Sequence, residues 1–194
     1  MNNLLKQSKF ILKDLKNLII WVIIAFIIRW QVIEPRWIPS GSMLPTLQIQ
    51  DKILVEKLTP KFYFNSNLSK LKNQIVVFKA PDQLVRSGFD SNTALIKRVI
   101  GIPGDKIEIK EGKLYLNNVL QKEYPFDKNI NYEIEPLIVP EKYLWVMGDN
   151  RNNSMDSHIW GFLPSEKIIG RAILRYWPLN HLGPINVPDL NNLA

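Results

Sequence analysis

Three polar strings in this sequence carry residue types suited to acyl-transfer chemistry. The first is Pro39-Ser40-Gly41-Ser42-Met43-Leu44-Pro45-Thr46-Leu47. Gly41 allows backbone conformations that a Cβ forbids, and the prolines fix φ on either side. The expected result is a rigid turn presenting the Ser42 hydroxyl, which becomes a nucleophile if a base reaches it. The same string also fits a proline-flanked surface turn with no chemistry.

The second string is Ile96-Lys97-Arg98-Val99-Ile100-Gly101-Ile102-Pro103-Gly104-Asp105. Two adjacent cations sit inside an apolar strand, and alternation sends them to opposite faces. One reading is an edge strand whose charges discourage aggregation. The other buries Lys97 beside Ser42, where desolvation lowers its pKa and makes the neutral amine a general base. Arg98 cannot serve so, because it stays protonated, and it is left with a structural task.

The third string is Gly148-Asp149-Asn150-Arg151-Asn152-Asn153-Ser154-Met155-Asp156-Ser157-His158, followed by Trp160-Gly161-Phe162. It fits an Asn- and Gly-rich surface loop. It also supplies Asp149 and Asp156 as ion-pair partners for Arg98 and Arg151, and Ser154 as a group to fix the Lys97 rotamer. A rival arrangement is a Ser-His-Asp triad of Ser42, His158 and Asp149 or Asp156.

These strings need elements to hold them. Residues 52–56, 74–78, 106–110, 113–117, 142–147 and 168–177 have the short β-branched or alternating pattern of strands. Glu111-Gly112 joins two of them as a hairpin. Residues 57–72 and 80–93 read as loops, and residues 179–194 as a loosely ordered tail. The expected fold is mainly β, a partly open barrel or sandwich of short antiparallel strands, over residues 34–178.

Upstream, Leu18 to Ile28 is apolar without a break, and residues 15–33 together make a plausible single-pass transmembrane helix. Trp21, Trp30 and a snorkelling Arg29 suit its interfaces. No small-x-small cleavage site follows it, which argues against a removed leader. Lys6, Lys9, Lys13 and Lys16 place residues 1–14 in the cytoplasm and the β domain on the far side. The net charge is +7, and its concentration around the apolar run points to lipid headgroups and away from nucleic acid. The absence of cysteine excludes disulfides, Cys-ligated metal and thiol catalysis.

The three strings, in this order, resemble the boxes of type I signal peptidases (peptidase family S26), and more narrowly short single-anchor bacterial and cyanobacterial members. With the anchor, the resemblance covers most of residues 15–178. It implies a signal-peptidase/repressor-type β fold and a membrane-bound serine endopeptidase that cuts signal peptides of secreted preproteins after small-x-small motifs. It implies Ser42 as nucleophile and Lys97 as base. The Ser42 amide and Ser40 hydroxyl would form the oxyanion hole, and Ser154 would position Lys97. Trp37, Ile38, Pro39, Met43, Leu95 and Ile96 would line the substrate site, with segments 36–40 and 94–97 binding the substrate as an added strand. Arg98, Asp149, Arg151 and Asp156 would form structural ion pairs. No metal or organic cofactor is implied, and the protein would act as a monomer in a plasma membrane or, alternatively, a thylakoid membrane. Asn152 and His158 depart from the common pattern, where an aspartate and a basic residue stand. Other readings are a Ser-Lys self-cleaving regulator, which would need a DNA-binding region, and a catalytically silent membrane-tethered binding module.

Overall fold

The computed structural model describes residues 2–60, 68–121 and 129–185. The chain opens with a long helix, α1 (Asn2–Gln31), which runs directly into strand β1 (Ile33–Trp37). Every side chain from Asp14 to Arg29 is exposed, including the apolar run from Leu18 to Ile28. Among the described residues no helix is long and apolar enough to cross a membrane.

The remainder is antiparallel β structure in two sheets. The larger runs in the order β1, β2 (Lys52–Glu56), β11 (Ile168–Trp177), β3 (Ile75–Lys79), β4 (Ala94–Gly101), β9 (Tyr143–Met147) and β10 (Leu163–Pro164). A short strand, β12 (Gly183–Pro184), adds to β11. The order is an open path, so the sheet does not close into a barrel. The smaller sheet runs β7 (Val119–Leu120), β6 (Lys113–Leu116), β5 (Lys106–Lys110) and β8 (Ile134–Ile138). Its β5–β6 hairpin turns at Glu111-Gly112, both at positive φ (54° and 73°), the geometry that matches the twist of two strands.

Alternation along β3 explains how the large sheet builds a core on both faces. Val76 and Phe78 join one apolar cluster with Leu71, Val99, Leu144 and Trp160. Ile75 and Val77 join another with Ile38, Met43, Leu47, Ile53, Val55 and Ile96. Met43, Leu47, Ile53 and Val55 are fully buried. Each such side chain contributes about 1.5–3 kcal/mol, so the segment around Ser42 is anchored from beneath by its own apolar neighbours. A third cluster, with Ile100, Trp145 and Met147 from the large sheet and Ile107, Ile109 and Leu116 from the small one, joins the two sheets.

Two expected loops differ in detail. Residues 80–93 contain a short helix, α2 (Asp82–Arg86), started by Pro81 and held by the buried Leu84. Of residues 57–72, positions 61–67 lie outside the described residues, and Leu68–Leu71 forms a 3-10 turn that buries Leu71. The segment read as a loose tail is tied down as far as Ile185. Its Ile185 amide donates to the Ile173 carbonyl (3.0 Å), and Arg175 Nε donates to the His181 carbonyl (2.7 Å). Residues 186–194 lie outside the described residues.

Candidate active site

Lys97 and Arg98 lie on β4, which runs between β3 and β9 and is not an edge strand. Neither cation reaches water; Lys97 is 4% and Arg98 3% exposed. Lys97 Nζ donates to Ser42 Oγ at 2.9 Å and to the Ile96 carbonyl at 2.9 Å. Among the described residues no carboxylate contacts the amine. Burial therefore brings the Lys97 pKa down from 10.5 to about 8, while the more distant charges of Asp156 and Asp149 pull it back upward.

Ser42 sits in a 3-10 turn over Gly41–Met43, with the fully buried Met43 as its apolar root. The Leu44 amide closes the turn on the Gly41 carbonyl (3.2 Å). Ser40, which is exposed, places its Oγ 3.4 Å from Ser42 Oγ, so both hydroxyls share one side of the turn. Trp37 is exposed at 64% and Pro39 is exposed, whereas Ile38 and Met43 are buried beneath them. Leu95 is partly buried and Ile96 buried, so both flank the lysine from within the sheet.

The third string forms the other wall. Arg98 makes a two-pronged contact with Asp149, Nε to Oδ1 at 2.8 Å and Nη2 to Oδ2 at 2.7 Å, and its Nη1 donates to the Asn73 carbonyl (2.7 Å). The buried Arg151 donates to the Gly148 carbonyl (3.0 Å). Asp156 is fully buried, accepting the Gly148 amide (2.7 Å) and the His158 amide (3.2 Å) while capping the helix α3 (Ser157–Trp160). The His158 ring pairs with Asp156 at 2.8 Å and stacks on Tyr132, with centroids 4.0 Å apart. An Asp–His pair thus exists, but the group bonded to Ser42 is Lys97. The Ser154 hydroxyl is buried, with no hydrogen-bond partner among the described residues. It packs against Gly148, where an added Cβ would fall within 2.5 Å of the Ser42 carbonyl oxygen and closer still to Ser154 Oγ. Gly148 is required by this close approach of two chain segments.

Three contributors escaped the reading of the sequence. Asn150 reaches across to the nucleophile turn, its amide donating to the Ser42 carbonyl (3.0 Å) and its Nδ2 to the Gly41 carbonyl (3.1 Å). Asp51 and Arg175 secure the chain that follows the turn. Arg175 Nη1 donates to Asp51 Oδ2 (3.0 Å) and the Thr46 carbonyl (3.2 Å), and Asp51 Oδ2 also accepts the Gln48 amide (2.8 Å). Asn150 stands inside a string already singled out, but its target is a backbone over a hundred residues away. For Asp51 and Arg175 no local spacing signals the pairing. Among the described residues no group of three or more His, Asp or Glu side chains is placed to hold a metal ion.

Comparison with known proteins identifies the family. The family model described as signal peptidase, peptidase S26, matches residues 11–177. A protein of Leptolyngbya laminosa named signal peptidase I is 39% identical over 183 residues, covering 94% of this chain and 88% of that one. Signal peptidase I P of Bacillus subtilis subsp. natto is 32% identical over 188 residues, with 91% and 95% covered. The chloroplastic thylakoidal processing peptidase 1 of Arabidopsis thaliana is 41% identical over 169 residues, but the match spans 86% of this chain and only 48% of that longer protein. By the extent of the family match and of the bacterial relatives, the chain belongs to the signal peptidase family, peptidase S26.

Proposed function

We propose that this protein is a membrane-associated serine endopeptidase that removes signal peptides from exported preproteins, with Ser42 as nucleophile and Lys97 as general base. The observation that carries the mechanism is the 2.9 Å contact between Lys97 Nζ and Ser42 Oγ in a buried setting where, among the described residues, no carboxylate touches the amine. A lysine brought down to about 8 is in part neutral at physiological pH, and a neutral amine can accept the hydroxyl proton.

Lys97 takes the Ser42 proton while Oγ bonds to the scissile carbonyl carbon, and the carbonyl π electrons move onto its oxygen. The Ser42 amide and Ser40 hydroxyl hold that oxyanion; one such donor is worth about 3–4 kcal/mol. The tetrahedral species collapses, the C–N bond breaks, and the Lys97 ammonium gives its proton to the leaving amine. A water gives its proton to Lys97 as its oxygen bonds to the ester carbon; the C–Oγ bond then breaks, the Lys97 ammonium returns the proton to Ser42 Oγ, and the new carboxylate leaves. Ser154, which packs against Gly148 next to the Ser42 carbonyl, is proposed to limit where the lysine can go.

The substrate is expected to bind as a strand. Among the described residues, Ala94 to Lys97 pairs with β3 alone, since β9 joins β4 only from Arg98 onward, and β1 pairs only with β2. Two backbone edges are thus open to a substrate, one ending at Lys97 and one leading through residues 38–40 to Ser42, and Trp37, Ile38, Pro39, Met43, Leu95 and Ile96 are the side chains proposed to meet it. Although no described helix has the length and apolarity of a full span, the unburied run from Leu18 to Ile28, with Arg29 able to snorkel, fits a short membrane anchor, with residues 1–14 on the cytoplasmic side and the catalytic domain beyond. A plasma membrane and a thylakoid membrane both fit this reading, the second because one relative is named a thylakoidal processing peptidase, and the proposed working form is the monomer. Incubating the purified protein with a preprotein in detergent tests the reading. Cleavage after a small-x-small motif, lost in Ser42→Ala, is expected; cleavage that persists in Ser42→Ala would overturn it.

A further inference from the structure

We infer that Asn150 is a positioning residue for the oxyanion site: it locks the two peptide planes flanking Ser42 and so aims the Ser42 amide. The inference rests on the Ser42–Lys97 reading above.

Asn150 donates to two consecutive carbonyls, Gly41 through Nδ2 (3.1 Å) and Ser42 through its amide (3.0 Å). The Gly41 carbonyl belongs to the same planar unit as the Ser42 N–H, and in a trans peptide the two point in opposite directions. A donor that fixes the Gly41 oxygen therefore fixes where the Ser42 N–H points. The Ser42 carbonyl belongs to the following plane. With both oxygens held, the φ and ψ of Ser42 are both set by one asparagine.

The turn needs such a clamp. Gly41 has no Cβ to restrict its ψ, so the Gly41–Ser42 plane can rotate at little cost. The turn's own closing bond, Leu44 amide to Gly41 carbonyl, is long at 3.2 Å. Asn150 is itself held by its neighbours. Asp149 is gripped by Arg98 at 2.8 and 2.7 Å, Arg151 donates to the Gly148 carbonyl, and the Asn153 amide closes on the Asn150 carbonyl (2.9 Å). A rigid path thus runs from Arg98 on β4 through Asp149 and Asn150 to the backbone of Ser42. Donation to the Gly41 carbonyl also polarises that peptide, which strengthens its N–H as a donor to an oxyanion.

The test compares Asn150→Ala and Asn150→Asp with the parent, using a signal-peptide substrate and a peptide aldehyde. The aldehyde adduct with Ser42 places an oxygen where the oxyanion forms. Asn150→Ala is expected to lower kcat about 10–100-fold, below the full effect of deleting an oxyanion donor, with KM within about twofold. Aldehyde affinity should fall by a similar factor, and the acid limb of the pH profile should stay in place. Asn150→Asp should lose more, because its carboxylate faces the Gly41 carbonyl. Thermal melts identify any variant that fails to fold, and Asn150→Ser serves in its place. Unchanged kcat and aldehyde affinity in a folded variant, with Ser42→Ala inactive, would overturn the inference alone. So would a shifted acid limb with aldehyde affinity intact, since Asn150 would then act on the base. Activity surviving in Ser42→Ala would overturn the underlying reading.

Discussion

Lys97 and Arg98 are neighbours on β4 and equally buried, yet their surroundings treat the two charges in opposite ways. Arg98 meets a carboxylate in a two-pronged contact and a backbone carbonyl, so its charge is compensated where it lies. Lys97 meets a hydroxyl and a carbonyl, both neutral, and its pKa falls to about 8. Burial alone therefore does not make a base. What makes one is burial with acceptors but without a contacting counter-charge, on a residue able to give up its proton. One side of the strand is built for stability and the other gives stability up for reactivity.

The largest effect that would sharpen this contrast is on turnover. Lys97→Ala should lower kcat/KM by about 10⁴-fold or more with the fold retained, and Lys97→Arg should not restore it, because a guanidinium stays protonated. Steady-state cleavage assays with circular dichroism check both. Across the strand, Arg98→Ala should cost about 3–5 kcal/mol of unfolding free energy, since Asp149 is left buried and unpaired. Denaturant titration reads that loss, and equal stability to the parent would break the comparison.

A smaller effect of opposite sign is expected at the lysine. Its folded-state pKa lies below the unfolded value of 10.5, so the unfolded chain binds more protons between about 8 and 10.5. Stability therefore rises with pH across that window and is penalised below it. Lys97→Met should remove the penalty and stabilise the protein at pH 7 by up to roughly 3 kcal/mol, with a flatter dependence on pH. A destabilised Lys97→Met would show that the amine is compensated after all. The smallest effect is expected for His158→Ala, whose ring serves Asp156 and Tyr132. Its kcat/KM should stay within about threefold of the parent, because the ring bonds Asp156 and stacks on Tyr132 while Ser42 is bonded by Lys97.

Much of this was legible in the sequence because it is local. β2, β5, β6, β9 and β11 follow the alternation of their residues to within a position or so, and the Glu111-Gly112 turn announces itself. Ser42, Lys97 and the acidic third string stood out as polar residues in apolar or stiff surroundings. What stayed hidden depends on pairings distant in the chain. That β4 is internal follows from β9 crossing over to join it, not from its own residues. Ser154 was expected to bond Lys97, whereas the lysine bonds the Ile96 carbonyl, an acceptor no side-chain pattern reveals. The requirement for glycine at 148 exists only once Ser42 and Ser154 converge on it. The tail looked loose because its sequence is polar and Pro-rich, yet Arg175 and β11 hold it to Ile185.

The central claim is that the amine of Lys97, and no imidazole, takes the Ser42 proton. The pH dependence of kcat/KM for signal-peptide cleavage tests it most directly, read beside His158→Ala. With Lys97 as base, activity rises through an apparent pKa of about 8, with an acid limb that His158→Ala leaves in place. A limb near the ordinary histidine value of about 6.5 that disappears with His158 would contradict it and assign the base to the Asp156–His158 pair.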